Sequence, residues 1–285
     1  MLKILRRPLS LLLLVVVGLL LTLMPPSAAQ QSINVRIDRW LLVQAIAGEV
    51  QFFTPETRRA AQIGDRLIAT GYGIRTGNNA SCILEVDTGV GTITLQPNTQ
   101  LEVRNLAFAD DNGYITHLYV SQGSVNLNLR RFTHPGSELE IETPSGVSGV
   151  RGTEFGVIVH PDDQRTGVAT RTGAVYASAQ AVTVDVEAGY QTLIRPGEPP
   201  LEPTPIPPTP TFDYRVEPVV RNGLRYLRLV GQVDPINQAY VGAALQTLTA
   251  TGEFQYEVPA YYGVSLQIRV VTPLGDEAVY DISLL

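Results

Sequence analysis

The sequence predicts an all-β protein of two domains, and three observations predict it. Strand-length runs of β-branched and aromatic residues recur from Ser32 to Arg195, broken by Gly, Asn or Asp roughly every ten positions. No stretch holds an apolar period of 3.6 over three turns, whereas several runs alternate apolar and polar residues, as half-buried strands must. Eight prolines crowd between Pro196 and Pro210, and strand-like runs resume after them.

The first 29 residues stand apart from the fold. Lys3, Arg6 and Arg7 precede an apolar run from Leu11 to Met24, and "PPSAAQQ" follows with small residues at Ser27 and Ala29. That order matches a secretory signal peptide over 1–29, with cleavage expected after Ala29. The alternative is an uncleaved segment that anchors the chain to the inner membrane. The run is shorter than the ~20 residues that span a bilayer comfortably.

A first β domain is expected over 32–196. Its best helical candidate, "RWLLVQAIAG", also fits a strand. "CILEVD", "TITLQ", "LEVRNLAF", "YITHLYV", "SVNLNLR", "ELEIET", "FGVIV", "AVYASA", "VTVDVEA" and "YQTLIR" are all strand-length, and "DDNG" at 110–113 reads as a hairpin connection. Proline fixes φ and donates no N–H, so 197–211 is expected to be an extended, semi-rigid spacer outside any sheet interior. Residues 212–285 return to strands ("LRYLRLVGQV", "EFQYEVP", "VSLQIRVVT", "AVYDISL") with turns at "ATGE" and "PLGDE". That length and punctuation suit a small sandwich.

Composition narrows the chemistry. The net charge is −6, and removal of the basic leader leaves 18 arginines against 27 acidic residues. No basic surplus exists to grip nucleic acid phosphates. Lys3 is the only lysine, which leaves no amine for a Schiff base or a phosphate loop beyond the leader. The one cysteine, Cys82, has no internal disulfide partner and sits in the alternating run "SCILEV", so it reads as a core residue.

"IETPSGVSGVRGTEFGVIV" (141–159) is the most unusual stretch. Gly146, Gly149, Gly152 and Gly156 surround Arg151 and Glu154 and lead into a strand rather than a helix. A phosphate cradle needs a helix N-terminus, so these glycines read instead as tight turns and close backbone approach, with Arg151 and Glu154 pairing across the turn. "VDTG" (86–89) carries one aspartic-protease triplet, but that chemistry needs two carboxylates sharing a proton and no second triplet exists. Asp87 and Gly89 therefore read as turn formers. His117, His134 and His160 share no ligand spacing; the "PDDQ" after His160 reads as a solvated turn, and "ADDNG" lacks the ligands of a calcium loop. No nucleophile elbow appears. No catalytic, cofactor-binding or metal site is expected.

The residues after the spacer hold nine of the chain's 20 aromatics. Tyr256 and Tyr280 lie in alternating runs and are expected in the core. Tyr261 and Tyr262 are adjacent, so an extended backbone must expose one of them, and they are the candidate ligand contact.

"ETPSGVSGVRGTEFGVIV" resembles the signature of the FecR domain family. "GDRLIATGYGIRTGNNASCILEVDTG", "LQPNTQLEV", "VSQGSVNLNL", "VATRTGAVYASA" and "VTVDVEAGYQTLI" are similar to other parts of it, across roughly 45–195. The resemblance implies an extracytoplasmic FecR-type twisted β domain that transmits or scaffolds rather than catalyses. Gly146, Gly149, Arg151, Gly152, Thr153, Glu154 and Phe155 form its structural signature. The family's namesake regulator holds a sigma factor on a cytoplasmic segment; the ten residues before the apolar run are too few for that. "GEFQYEVPAYYGVSLQIRVVTPLGDEAVYDISL" resembles bacterial immunoglobulin-like modules. The expectation is an exported, periplasmic or extracellular, non-enzymatic protein with no cofactor, acting in envelope sensing, signalling or scaffolding. Its expected partner is another envelope protein; the alternative is a cell-wall or extracellular glycan. Nucleic acid is excluded, and the membrane is touched only through an uncleaved leader.

Overall fold

The structure is a computed structural model and describes residues 39–150, 152–260 and 263–284; the expected signal peptide, Arg151, Tyr261 and Tyr262 lie outside them. It is all-β, with no helix among the described residues. None of these residues forms a helix long and apolar enough to cross a membrane.

The strands of the first domain open with β1 (Leu41–Ala47), β2 (Val50–Phe53), β3 (Arg58–Ala60), β4 (Arg66–Leu67), β5 (Gly73–Thr76) and β6 (Ser81–Val86). β7 (Gly91–Leu95), β8 (Gln100–Phe108), β9 (Tyr114–Leu129), β10 (Glu138–Glu142), β11 (Val147–Val150) and β12 (Glu154–Val159) follow. β13 (Thr166–Thr172), β14 (Ala174–Ala179), β15 (Val182–Glu187), β16 (Tyr190–Ile194) and β17 (Thr204–Pro205) complete it. "RWLLVQAIAG" is thus the strand β1.

The strands divide into two sheets that share β9. The first runs β4–β1–β6–β7–β9–β12–β13–β16–β17. The second runs β3–β2–β5–β8–β9–β10–β11–β14–β15. Every pairing is antiparallel except β9 with β10, which is parallel. "YITHLYV" and "SVNLNLR", two runs in the sequence, are one strand here. The first half of β9 pairs in the second sheet and its last residues pair in the first. The strand bends at Gly123, whose φ is +91°, and a Cβ there would overlap the Thr99 backbone. Thr99 Oγ1 secures the bend by accepting from Ser124 N (2.9 Å) and donating to Ser124 O (3.0 Å).

The alternation read from sequence sets the core. Leu84, Ile93, Leu101, Leu118, Leu139 and Val157, from six strands of both sheets, are fully buried in one cluster, and Cys82 lies among them. Their neighbours at odd spacing, such as His117 and Tyr119 on β9 and Glu138 and Glu140 on β10, face outward and are half-buried.

The proline-rich segment lies along β16. β17 pairs with Tyr190 and Gln191, while Leu201 N donates to Leu193 O (3.0 Å) and Ile206 N to Gly189 O (2.8 Å). A proline strand is tolerated there because it is an edge.

Beyond it, β18 (Phe212–Arg221), β19 (Leu224–Val233) and β22 (Glu253–Pro259) form a three-stranded sheet. β20 (Gln238–Val241), β21 (Ala244–Leu245), β23 (Ser265–Val271) and β24 (Glu277–Ser283) form a four-stranded one. Leu229, Phe254, Ile268 and Ile282 fill the space between them, with Tyr256 and Tyr280 packed against that core. This is a small β-sandwich.

The sandwich covers the outer face of the first sheet. That explains why β12 is buried along almost its whole length instead of alternating. A side chain at Gly156 would occupy the place of the Pro273 carbonyl, and one at Gly167 that of Ile236. Asn126 Nδ2 donates to Pro273 O at 2.7 Å, and Gln191 Nε2 to Asp234 Oδ2 at 3.2 Å.

Candidate functional site

The glycine-rich segment carries the chain from one sheet to the other. After β10, Thr143 N and Oγ1 both donate to Gly146 O (2.8 and 3.0 Å), closing a tight turn. A Cβ on Gly146 would meet the Ser178 carbonyl at 2.6 Å. β11 then pairs Gly149 with Glu140 on one side and Tyr176 on the other. With no side chain at Gly149, the Tyr176 ring lies across the strand and its hydroxyl donates to Glu140 Oε1. Gly152 makes the crossing itself at φ +104°, where a Cβ would fall on Arg131 Cα and the Arg130 carbonyl. Thr153 is buried and its carbonyl accepts from Leu129 N (3.0 Å); Phe155 is buried in the core. Glu154 pairs with Arg171 (3.0 Å), which also reaches Asp276 of the sandwich (2.8 Å). Arg151 lies outside the described residues, so its pairing with Glu154 does too, as do Tyr261 and Tyr262.

Beside this segment the outer face of the second sheet gathers side chains that are distant in sequence. Parallel pairing sets His117 opposite Glu140, and Glu138 follows two residues before it on the same face. His117 Nε2 lies 3.0 Å from Glu138 Oε1 and 3.5 Å from Glu140 Oε2. Next to them Arg104 stacks over Tyr119, 4.4 Å from its ring centroid, and bonds Glu102 at 2.7 Å. Spacing along the chain hid this group, because its members meet only through strand pairing. The outward alternation of "ELEIE" was the available signal.

A second polar cluster, also unseen in the sequence, is buried where the first sheet meets the sandwich. Arg165 is 1% exposed. Its guanidinium donates to Pro235 O (3.0 Å) and Leu248 O (3.4 Å), pairs with Asp163, and approaches His160 Nδ1 (3.5 Å). "PDDQ" is an exposed turn, but His160 itself is buried. Burial first, and then the Arg165 charge, push its imidazole down to about 4.

The remaining candidates resolve into structure. Asp87 adopts φ +42° in its turn, and its carboxylate is tied to Arg39 (2.6 Å) and Trp40 N (3.1 Å) rather than facing another carboxylate. Burial pushes the Cys82 thiol up to about 12, far from a reactive thiolate. Asp111 accepts from Gly113 N (2.9 Å) and Gly136 N (2.8 Å), and these bonds hold its carboxyl below the usual range. One open polar cleft of about 380 Å³ lies among Glu49, Gln51, Arg75, Asn78, Asn98 and Gln122.

Two β sheets sharing β9, a glycine-built crossover between them and a polar outer face on the second thus make up the site. Residues 72–176, from just before β5 into β14, match the family model described as "FecR protein". Among solved structures, two crystal structures of a "putative anti-sigma factor from Parabacteroides distasonis ATCC 8503" are similar at 17% identity and a TM-score of 0.40. The similarity covers 47% of this chain and 59% of those chains. No curated protein matches the sequence.

Proposed function

We propose that this chain is an exported, non-enzymatic protein that acts in envelope signalling or scaffolding by binding another protein. The FecR match over 72–176 carries the reading. Its domain presents one face, around Arg104 and Tyr119, whose charged and aromatic groups are held on rigid strands. Arginine offers a fixed fork of donors and tyrosine a large area at low entropy cost, the combination that anchors interfaces. A photo-crosslinking residue placed at Tyr119 in cells should yield one dominant adduct with an envelope protein, lost on Arg104→Glu. Recovery of uncrosslinked chain alone would sink the reading.

The second reading, a cell-wall or extracellular glycan, is favoured by the polar cleft. Gln51, Asn78, Asn98 and Gln122 supply amide donors and acceptors suited to sugar hydroxyls. Retention on purified cell wall that is abolished by Gln51→Ala with Arg75→Ala would move the assignment there. Tyr261→Ala with Tyr262→Ala tests the tyrosine pair in the same assay.

A further inference from the structure

We infer that His117, Glu138 and Glu140 form a binding site for one divalent transition-metal ion of the zinc class, with a coordination position left open to a water or a partner's ligand. The inference stands on the chemistry of the three side chains and does not depend on the reading above.

All three side chains stand on the outer face of the second sheet, on two neighbouring strands. Each offers one ligand atom, and these atoms lie within 4.8 Å of one another. In a tetrahedral site with metal–ligand bonds of about 2.0–2.1 Å, ligand atoms sit about 3.3 Å apart. The observed 3.0 and 3.5 Å from His117 Nε2 to the two carboxylates bracket that spacing. Parallel pairing of β9 with β10 fixes the register, so the set is held by backbone rather than by a loop.

Charge argues the same way. Two carboxylates converge on one imidazole, and among the described residues neither Glu138 nor Glu140 is ion-paired with an arginine. Arg104, the arginine beside the cluster, is engaged by Glu102 at 2.7 Å and lies 3.9 Å from Glu142. A divalent ion relieves the repulsion between the two carboxylates. The imidazole selects a transition metal over calcium or magnesium, which take oxygen ligands.

Tyr176 acts as a positioning residue. Its hydroxyl holds Glu140 Oε1, which turns Oε2 toward His117, and it reaches that oxygen only because Gly149 leaves the strand bare. Such outer-shell bonds are worth about 10–100-fold in metal affinity. The signature glycine thereby has a chemical consequence as well as a steric one. A plain surface ion pair between His117 and the glutamates would need none of this arrangement.

Titration of the purified full chain with Zn²⁺ by calorimetry should show one equivalent bound at micromolar affinity or better, undisturbed by millimolar Ca²⁺ or Mg²⁺. His117→Ala, and Glu138→Gln with Glu140→Gln, should each weaken it at least 30-fold, and Tyr176→Phe about 10-fold. Co²⁺ in place of Zn²⁺ should give the intense visible bands of a tetrahedral ion, absent in His117→Ala. Circular dichroism melts of the variants separate loss of the site from loss of the fold. No binding, or binding unchanged by these substitutions, overturns the inference. A featureless Co²⁺ spectrum overturns the tetrahedral site.

Discussion

Gly149 and Gly152 are three residues apart and serve different physical ends. At Gly149 the backbone is extended and the space is taken by the movable Tyr176 ring, so an added side chain evicts a neighbour. At Gly152 the obstacle is the Arg130–Arg131 backbone, and φ is +104°, a region that β-branched residues essentially never enter. Replacing either with valine therefore should not cost the same. Gly152→Val is expected to destabilise by about 4 kcal/mol or more, since it combines backbone strain with overlap on immobile atoms. In a chain of this size that lowers the melting temperature by roughly 10 °C. Gly149→Val should cost clearly less and lose the Tyr176–Glu140 bond. Thermal melts of the two variants side by side check this, and equal losses would contradict it. The four glycines signalled in sequence that bare backbone was needed here, but not which atoms occupy the vacated space, because Tyr176, Arg131 and Pro273 arrive from remote parts of the chain.

At the scale of elements, period-2 alternation was the most legible signal. It gave β6, β7, β8, β10 and β14 nearly residue for residue, since a strand with one wet face must alternate. It failed where that condition fails. In sequence β9 looks like two runs because Gly123 resembles a terminator, yet that glycine bends a continuous strand between sheets. β18 was obscured by Pro218, tolerable because the strand is an edge of its sheet. The candidate site was less legible than the fold. His117 and Glu140 are brought together by a parallel pairing that nothing local announces. β12 shows how an element records its surroundings: "FGVIV" is a continuous buried run because the sandwich lies on its second face. Gly156 is where that face is closest, under the Pro273 carbonyl. Gly156→Leu is thus expected to lift the sandwich off while each body keeps its own core. Small-angle scattering should then report a larger radius of gyration, and calorimetry two unfolding transitions in place of one. An unchanged scattering profile would show that the contact does not hold the bodies together.

On the scale of the whole molecule, a separate hydrophobic core in each body does the work of disulfides, and the junction between the two bodies buries Arg165 and His160. Arg165 is satisfied there by carbonyls of the sandwich, whereas His160 Nε2 has no hydrogen-bond partner among the described residues. A buried imidazole beside a guanidinium must stay neutral, which makes stability depend on pH. Between about 6.5, where the unfolded chain begins to protonate this histidine, and about 4, where the folded chain does, only the unfolded state carries the extra proton. Stability contributed by the neutral group is complete above that window, falls as pH drops through it, and is lost below about 4. A gap of that width corresponds to roughly 3 kcal/mol. Asp65 and Asp111, whose carboxyls are held low by their hydrogen bonds, also lose stabilising contacts in acid, so the wild-type curve alone is ambiguous. His160→Gln isolates the contribution of this histidine, because the amide oxygen can still accept from Arg165 but does not titrate. Urea unfolding at pH 7, 5.5 and 4 should show the wild type losing stability more steeply than the variant, with the two curves converging toward acid. Parallel curves across that range would mean that the proton is taken up elsewhere and that the junction is not the acid-sensitive part of the molecule.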